Sequence, residues 1–164
     1  MNEDPHVMAE GYAPTPFTAD EIRAGCPRGR IDEIEIHEAG KYAYTRLVTF
    51  VECDEEGSLQ ESHMRDMNGT ELGEVTRARA TWPELQAHAS FPRDATRITE
   101  TTTELPHGHH HCLLYTVTNG QTVSRFWFAR DLPGMPVRVE RERDGGIVYS
   151  MTLVSVRRPE GSRE

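Results

Sequence analysis

Three dipeptides constrain this chain more than any other feature. Asn68-Gly69, Asn119-Gly120 and Asp144-Gly145 each lie between segments of strand character. Such pairs supply the positive φ angles of a two-residue primed turn, whose twist matches the strands it joins. Three of them in one chain point to an antiparallel meander.

The periodicity between the turns agrees. Ile34 and Ile36 alternate with Glu33, Glu35 and His37, as in a half-buried strand. Residues 42–51 are apolar on both parities (Tyr44, Val48 and Phe50 against Leu47 and Val51), which predicts cover on both faces. Further strands are read from Thr96, Leu113, Thr122, Val137 and Ile147, and Val137, Val139 and Arg141 oppose Arg138, Glu140 and Glu142. Thr18-Ala19-Asp20-Glu21 is a capping box opening a short helix that Gly25 and Pro27 end. Thr81 caps a second helix, with Pro83 in its first turn and Trp82, Leu85 and Ala89 on one side, ending before Phe91. The fold class is therefore mainly β (α+β), an antiparallel sheet of about seven to nine strands with two short helices.

Phe126-Trp127-Phe128 puts aromatic bulk on both faces of its strand. One face can fill the core; the other needs a helix, a partner or a ligand.

The 164 residues suit a single domain. Residues 1–16, with three prolines, read as a flexible lead-in, 17–157 as one β domain, and 158–164 as a disordered tail. Net charge is −9, and the whole excess lies in the first half: 8 basic against 17 acidic residues through Trp82. That balance opposes a nucleic-acid or anionic-membrane surface. No apolar run is long enough for a spanning helix, and the acidic start does not resemble a signal peptide. With Cys26, Cys53 and Cys112 read as free thiols, the expected location is the cytoplasm.

The loudest local feature is His107-Gly108-His109-His110-His111-Cys112. On a strand, His109 and His111 point to one face about 7 Å apart. They could share a zinc or copper ion if His63, Asp66 or Glu104 supplied a third ligand. His110 and Cys112 share the other face, where a cysteine nucleophile would need a positive neighbourhood. The carboxylates Glu33, Glu35, Glu38 and Asp54-Glu55-Glu56 read as a solvated face. No dinucleotide, Walker, nucleophile-elbow or zinc-protease motif is present, and no cofactor is expected. In Asp131-Leu132-Pro133-Gly134-Met135-Pro136-Val137 a rigid turn could place Met135 at the rim of a binding mouth.

The capped helix, the meander, Gly108 followed by Cys112 and Tyr115, Asn119-Gly120, Phe126-Trp127-Phe128 and the 132–137 turn together carry a resemblance. They resemble small bacterial β domains similar to the half-barrel group of the outer-membrane lipoprotein carrier and mycobacterial lipid-binding lipoproteins. The resemblance implies a strongly curved meander or half-barrel whose concave face, capped by helices, holds an acyl chain or another apolar ligand. It carries over no individual residue.

The favoured expectation is a non-catalytic binding module for a small apolar or lipid-like ligand, lined by Tyr44, Phe50, Tyr115, Phe126, Phe128, Met135 and Tyr149. Two alternatives stand beside it. One is an isomerase, cyclase or hydrolase using His109, His111 or Cys112 in the same cavity; the other is a homodimeric interaction protein joined through its second apolar face.

Overall fold

In the computed structural model, which describes residues 4–159, the turn chemistry builds one open antiparallel sheet. Its strands are β1 (Ile31–Glu38), β2 (Tyr44–Cys53), β3 (Gly57–Asp66), β4 (Thr76–Thr81), β5 (Thr96–Leu105), β6 (Gly108–Asn119), β7 (Thr122–Ala129), β8 (Arg138–Arg143) and β9 (Gly146–Arg157). They lie in the order β4-β3-β2-β1-β9-β8-β7-β6-β5. Two meanders, β1 to β4 and β5 to β9, are thus stitched along β1 and β9. The edge strands β4 and β5 each pair with one neighbour, and the sheet is neither closed nor strongly curled. The half-barrel expectation is corrected accordingly.

The three turns behave differently. Asp144 and Gly145 both have positive φ and form the expected two-residue loop between the paired residues Arg143 and Gly146. At the β6–β7 hairpin Asn119 pairs with Thr122, so the loop is Gly120-Gln121, one residue later than expected. Gly120 has φ +62°, and Gln121 is not among the positive-φ residues, the pattern of a II′ turn with glycine first. Asn68-Gly69 lies in a tight hairpin, but with a three-residue loop: Asp66 N–H donates to Thr70 O, Arg65 bridges Glu71, and within the loop Gly69 alone takes a positive φ, +88°. Asp66 Oδ1 accepts from the Asn68 and Thr70 amides across this loop, and residues 73–75 then carry the chain on to β4.

Register sorts the side chains into two unlike faces. Directly paired residues share a face, and one row runs Tyr44–Ile36–Met151–Val139–Phe126–Tyr115–Ile98 across seven strands. The adjacent row on the opposite face runs Arg65–Thr45–Glu35–Thr152–Arg138–Trp127–Leu114–Thr99. The first row is core and the second is mixed and partly polar, but further along β5 to β7 the second parity carries the buried Leu105, Cys112 and Ala129. Leu47 and Val51 are half-buried on that polar side, so β2 lacks the second covering layer its pattern suggested. Trp127 packs against the buried cluster that includes Cys112, Ala129, Leu132 and Val137, with the Arg138 guanidinium 5.2 Å from its ring centroid.

Both helices cover the apolar face. α1 (Ala19–Gly25) and α2 (Trp82–Ala87) open with complete capping boxes at Thr18/Glu21 and Thr81/Glu84 and pack against each other. Phe17, Ile22 and Trp82 join Phe50, Tyr115 and Phe128 in one buried cluster, while Ile34, Ile36, Val139, Met151 and Leu153 form a second on the sheet itself. Residues 4–16, read as part of a flexible lead-in, are tied to this layer. The buried Gln86 donates to the Pro5 carbonyl and Thr15 Oγ1 and accepts from the Ala19 amide, and Ala13 N–H donates to Phe91 O at 2.8 Å. Residues 1–3 of the lead-in and 160–164 of the expected tail lie outside the described residues.

Candidate functional site

The helices do not seal the apolar face completely. Between them and the sheet remains a cavity of about 370 Å³, within the usual range for small-ligand sites. Ile22 and Cys26 border it from α1 and its C-cap, Leu85, His88, Ala89 and Phe91 from α2 and beyond, and Phe50, Phe126 and Phe128 from the sheet. Gly134, Met135 and Pro136, from the β7–β8 connection, complete the rim. The polar groups on the wall are few: Asp32, Arg46, Gln60 and His88.

Aromatic packing shapes the floor. Phe126 stacks on Phe91 with centroids 5.0 Å apart, and Phe128 stands edge-on to Tyr115 at 5.3 Å and to Phe17 at 6.3 Å. Of the seven residues expected around a ligand, Phe50, Phe126, Phe128 and Met135 line the cavity. Tyr115 lies deeper, in the core, where its hydroxyl donates to Pro14 O at 2.6 Å. Tyr44 and Tyr149 share the sheet face but not the cavity wall. Tyr44 donates to Glu38 Oε2 at 2.6 Å, and burial with that carboxylate pushes its phenol up to about 12; Tyr149 packs under Arg141.

Beside the cavity sits a buried ion pair. Arg30 and Asp32 are both almost inaccessible; Arg30 Nε donates to Asp32 Oδ1 at 2.8 Å and Nη2 to Oδ2 at 3.3 Å. The remaining Nη1 donates to Gly25 O at 2.7 Å and Pro133 O at 2.9 Å. One guanidinium thereby joins the end of α1, the β7–β8 connection and β1. The Cys26 thiol lies against Nη1 at 3.4 Å, and burial pushes it up to about 11. It is a packing group, not an activated nucleophile.

Arg46 is placed differently. Its parity on β2 is that of Tyr44, Val48 and Phe50, so a cation stands in an otherwise apolar row of the inner face. It bonds to Ser62 Oγ, from Nε at 3.4 Å and Nη2 at 3.1 Å. Sequence reading missed it, although a charge at a core-parity position is a legible signal.

The histidine cluster lies elsewhere in the fold. His109 and His111 share a face, as expected, but both are exposed, and Glu104 approaches only His109, at 3.9 Å. His63 and Asp66 are on β3, in the other meander. Among the described residues no three His, Cys, Asp or Glu side chains gather where they could hold a metal. The organised pair is instead His107 and His110. Asp131 Oδ1 is 3.0 Å from His110 Nδ1, His110 Nε2 is 3.0 Å from His107 Nδ1, and His107 Nε2 is 3.1 Å from Leu153 O. Because that carbonyl can only accept, His107 donates from Nε2, and the chain of contacts holds the β5–β6 turn against β9. Cys112 is buried, burial raises its thiol pKa, and its Sγ lies 3.6 Å from the His110 carbonyl oxygen. None of His109, His111 and Cys112 lines the cavity.

No protein-family model matches this chain, and no curated protein is detectably similar to it in sequence. No helix among the described residues is long and apolar enough to cross a membrane.

Proposed function

We propose that the chain is a binding module for a small apolar or lipid-like ligand held between its two helices and the sheet. The observation that carries this reading is the cavity itself: about 370 Å³, walled mainly by aliphatic and aromatic side chains, with four polar residues on its wall. Sites for small molecules have this make-up, apolar lining with a few placed polar groups. Catalysis is not proposed, because the cysteine and histidines suggested for it stand outside the cavity. The opposite sheet face, with Glu35, Arg138 and the threonines in its central row, offers little for an apolar dimer contact.

The test is titration with the neutral dye Nile red. One saturable site per chain is expected, weakened at least about tenfold by Met135→Lys, which would bring a charge to an apolar rim. Absence of saturable binding by the wild-type protein would sink the proposal.

A further inference from the structure

We propose that this cavity selects apolar ligands bearing a carboxylate, and that the Arg46 guanidinium is the group that recognises it; the inference rests on the binding-module reading above. Asp32 and Arg46 are the unlike charges on the cavity wall, and both Asp32 oxygens are engaged by Arg30. The Arg30–Asp32 pair is therefore neutral as a unit. Arg46 has no such match, since no carboxylate among the described residues lies within ion-pair distance of it. Glu38, which shares the inner-face parity on the neighbouring strand, is engaged by the Tyr44 hydroxyl at 2.6 Å and by Lys41 at 3.7 Å.

A half-buried cation whose only hydrogen-bond partner among the described residues is the Ser62 hydroxyl has donors left over. Arginine presents five of them in a planar fork, and a carboxylate accepts two in parallel. The attraction is stronger in a partly desolvated wall than in water. Its position suits an amphipathic acid. Arg46 pairs with Ile34 on one side and Met64 on the other, while the aromatic floor of Phe50, Phe126 and Phe128 lies deeper in the same cavity. An apolar body would occupy the floor, and the acid would meet the fork.

Calorimetric titration of the full chain with decanoate and with decanol separates this idea from the one beneath it. Wild-type protein is expected to bind decanoate at least about tenfold more tightly than decanol. Arg46→Met is expected to abolish that preference by weakening decanoate alone, with circular dichroism confirming the fold. Equal wild-type affinities, or a preference that survives in Arg46→Met, would overturn the role of Arg46 and leave the cavity reading intact. Binding of neither ligand by the wild type would overturn both. Should Arg46→Met fail to fold, Arg46→Gln, which keeps a donor for Ser62, takes its place, and the wild-type comparison is decisive on its own.

Discussion

Arg30, at the entry to β1, and Arg46, on neighbouring β2, hold the same charge in opposite circumstances. Arg30 is wholly enclosed, with every nitrogen bonded to Asp32, Gly25 O or Pro133 O. Arg46 is half-buried at a cavity wall, and among the described residues only the Ser62 hydroxyl hydrogen-bonds to it. The first arrangement fastens three elements together and bonds every guanidinium nitrogen to an oxygen of the protein. The second spends little on the fold and keeps donors for something else. A cation completed by the protein is architecture, and one left incomplete at a cavity is suited to a ligand.

The comparison breaks most visibly if Arg30 is removed. Arg30→Met leaves the Asp32 carboxylate buried and uncompensated, which should cost about 3–5 kcal/mol in urea unfolding. Replacing both partners, Arg30→Met with Asp32→Leu, should recover only part of that loss, because Gly25 O and Pro133 O also lose their donor. A loss for Arg30→Met no greater than that for Arg46→Met would end the distinction.

Alkaline pH probes the same enclosed corner. The buried Cys26 thiol is pushed up to about 11 in the folded protein, whereas an unfolded thiol ionises near 8.5–9. Between those values the folded state holds a proton that the unfolded state has released, so stability falls as pH rises through that window. The expected loss is about 2–3 kcal/mol. Cys26→Ala should flatten this part of the urea-midpoint profile, whereas an unchanged slope would place the titration elsewhere.

Gly25 sharpens the contrast sterically. A Cβ there would stand 2.8 Å from Pro133 Cβ, so Gly25→Ala should push α1 off the β7–β8 connection that Arg30 binds. Overpacking of this kind costs about 1–3 kcal/mol, against a helix-propensity gain of under about 1 kcal/mol. A net loss in thermal stability is expected; a stabilised variant would show that the corner can give way. The smallest effect belongs to Arg46→Met, which should change stability by less than about 1 kcal/mol because only the Ser62 contact is lost.

Local chemistry made much of this fold readable, and long-range contact hid the rest. The Thr18 capping box and the Thr81 cap stand where they were read because caps depend on residues three apart, with Glu84 completing a second box, and Asp144-Gly145 forms its primed turn through equally local chemistry. Asn119-Gly120 turns one position later than expected, and Asn68-Gly69 turns in a three-residue loop rather than a two-residue one, since pairing register and the Asp66 side chain decide those turns. Phe50, Phe126, Phe128 and Met135 were legible as lining because bulk on a strand face or rigid turn must go somewhere. Arg30 and Asp32 were not, because their partners Gly25 and Pro133 come from separate elements. Nor was the His107–His110–Asp131 chain, which a β5–β6 turn and the β7–β8 connection assemble across more than twenty residues.

Ligand binding is placed in the inner-face cavity, with Arg46 on its wall. Backbone amide NMR during a decanoate titration tests it most directly. Saturable shifts should concentrate at Ile22, Arg46, Leu85, Phe126 and Met135, while Glu35, Thr152, Leu114 and Thr99 on the opposite face stay still. Shifts spread along that outer row, or no saturable shifts at all, would contradict the account.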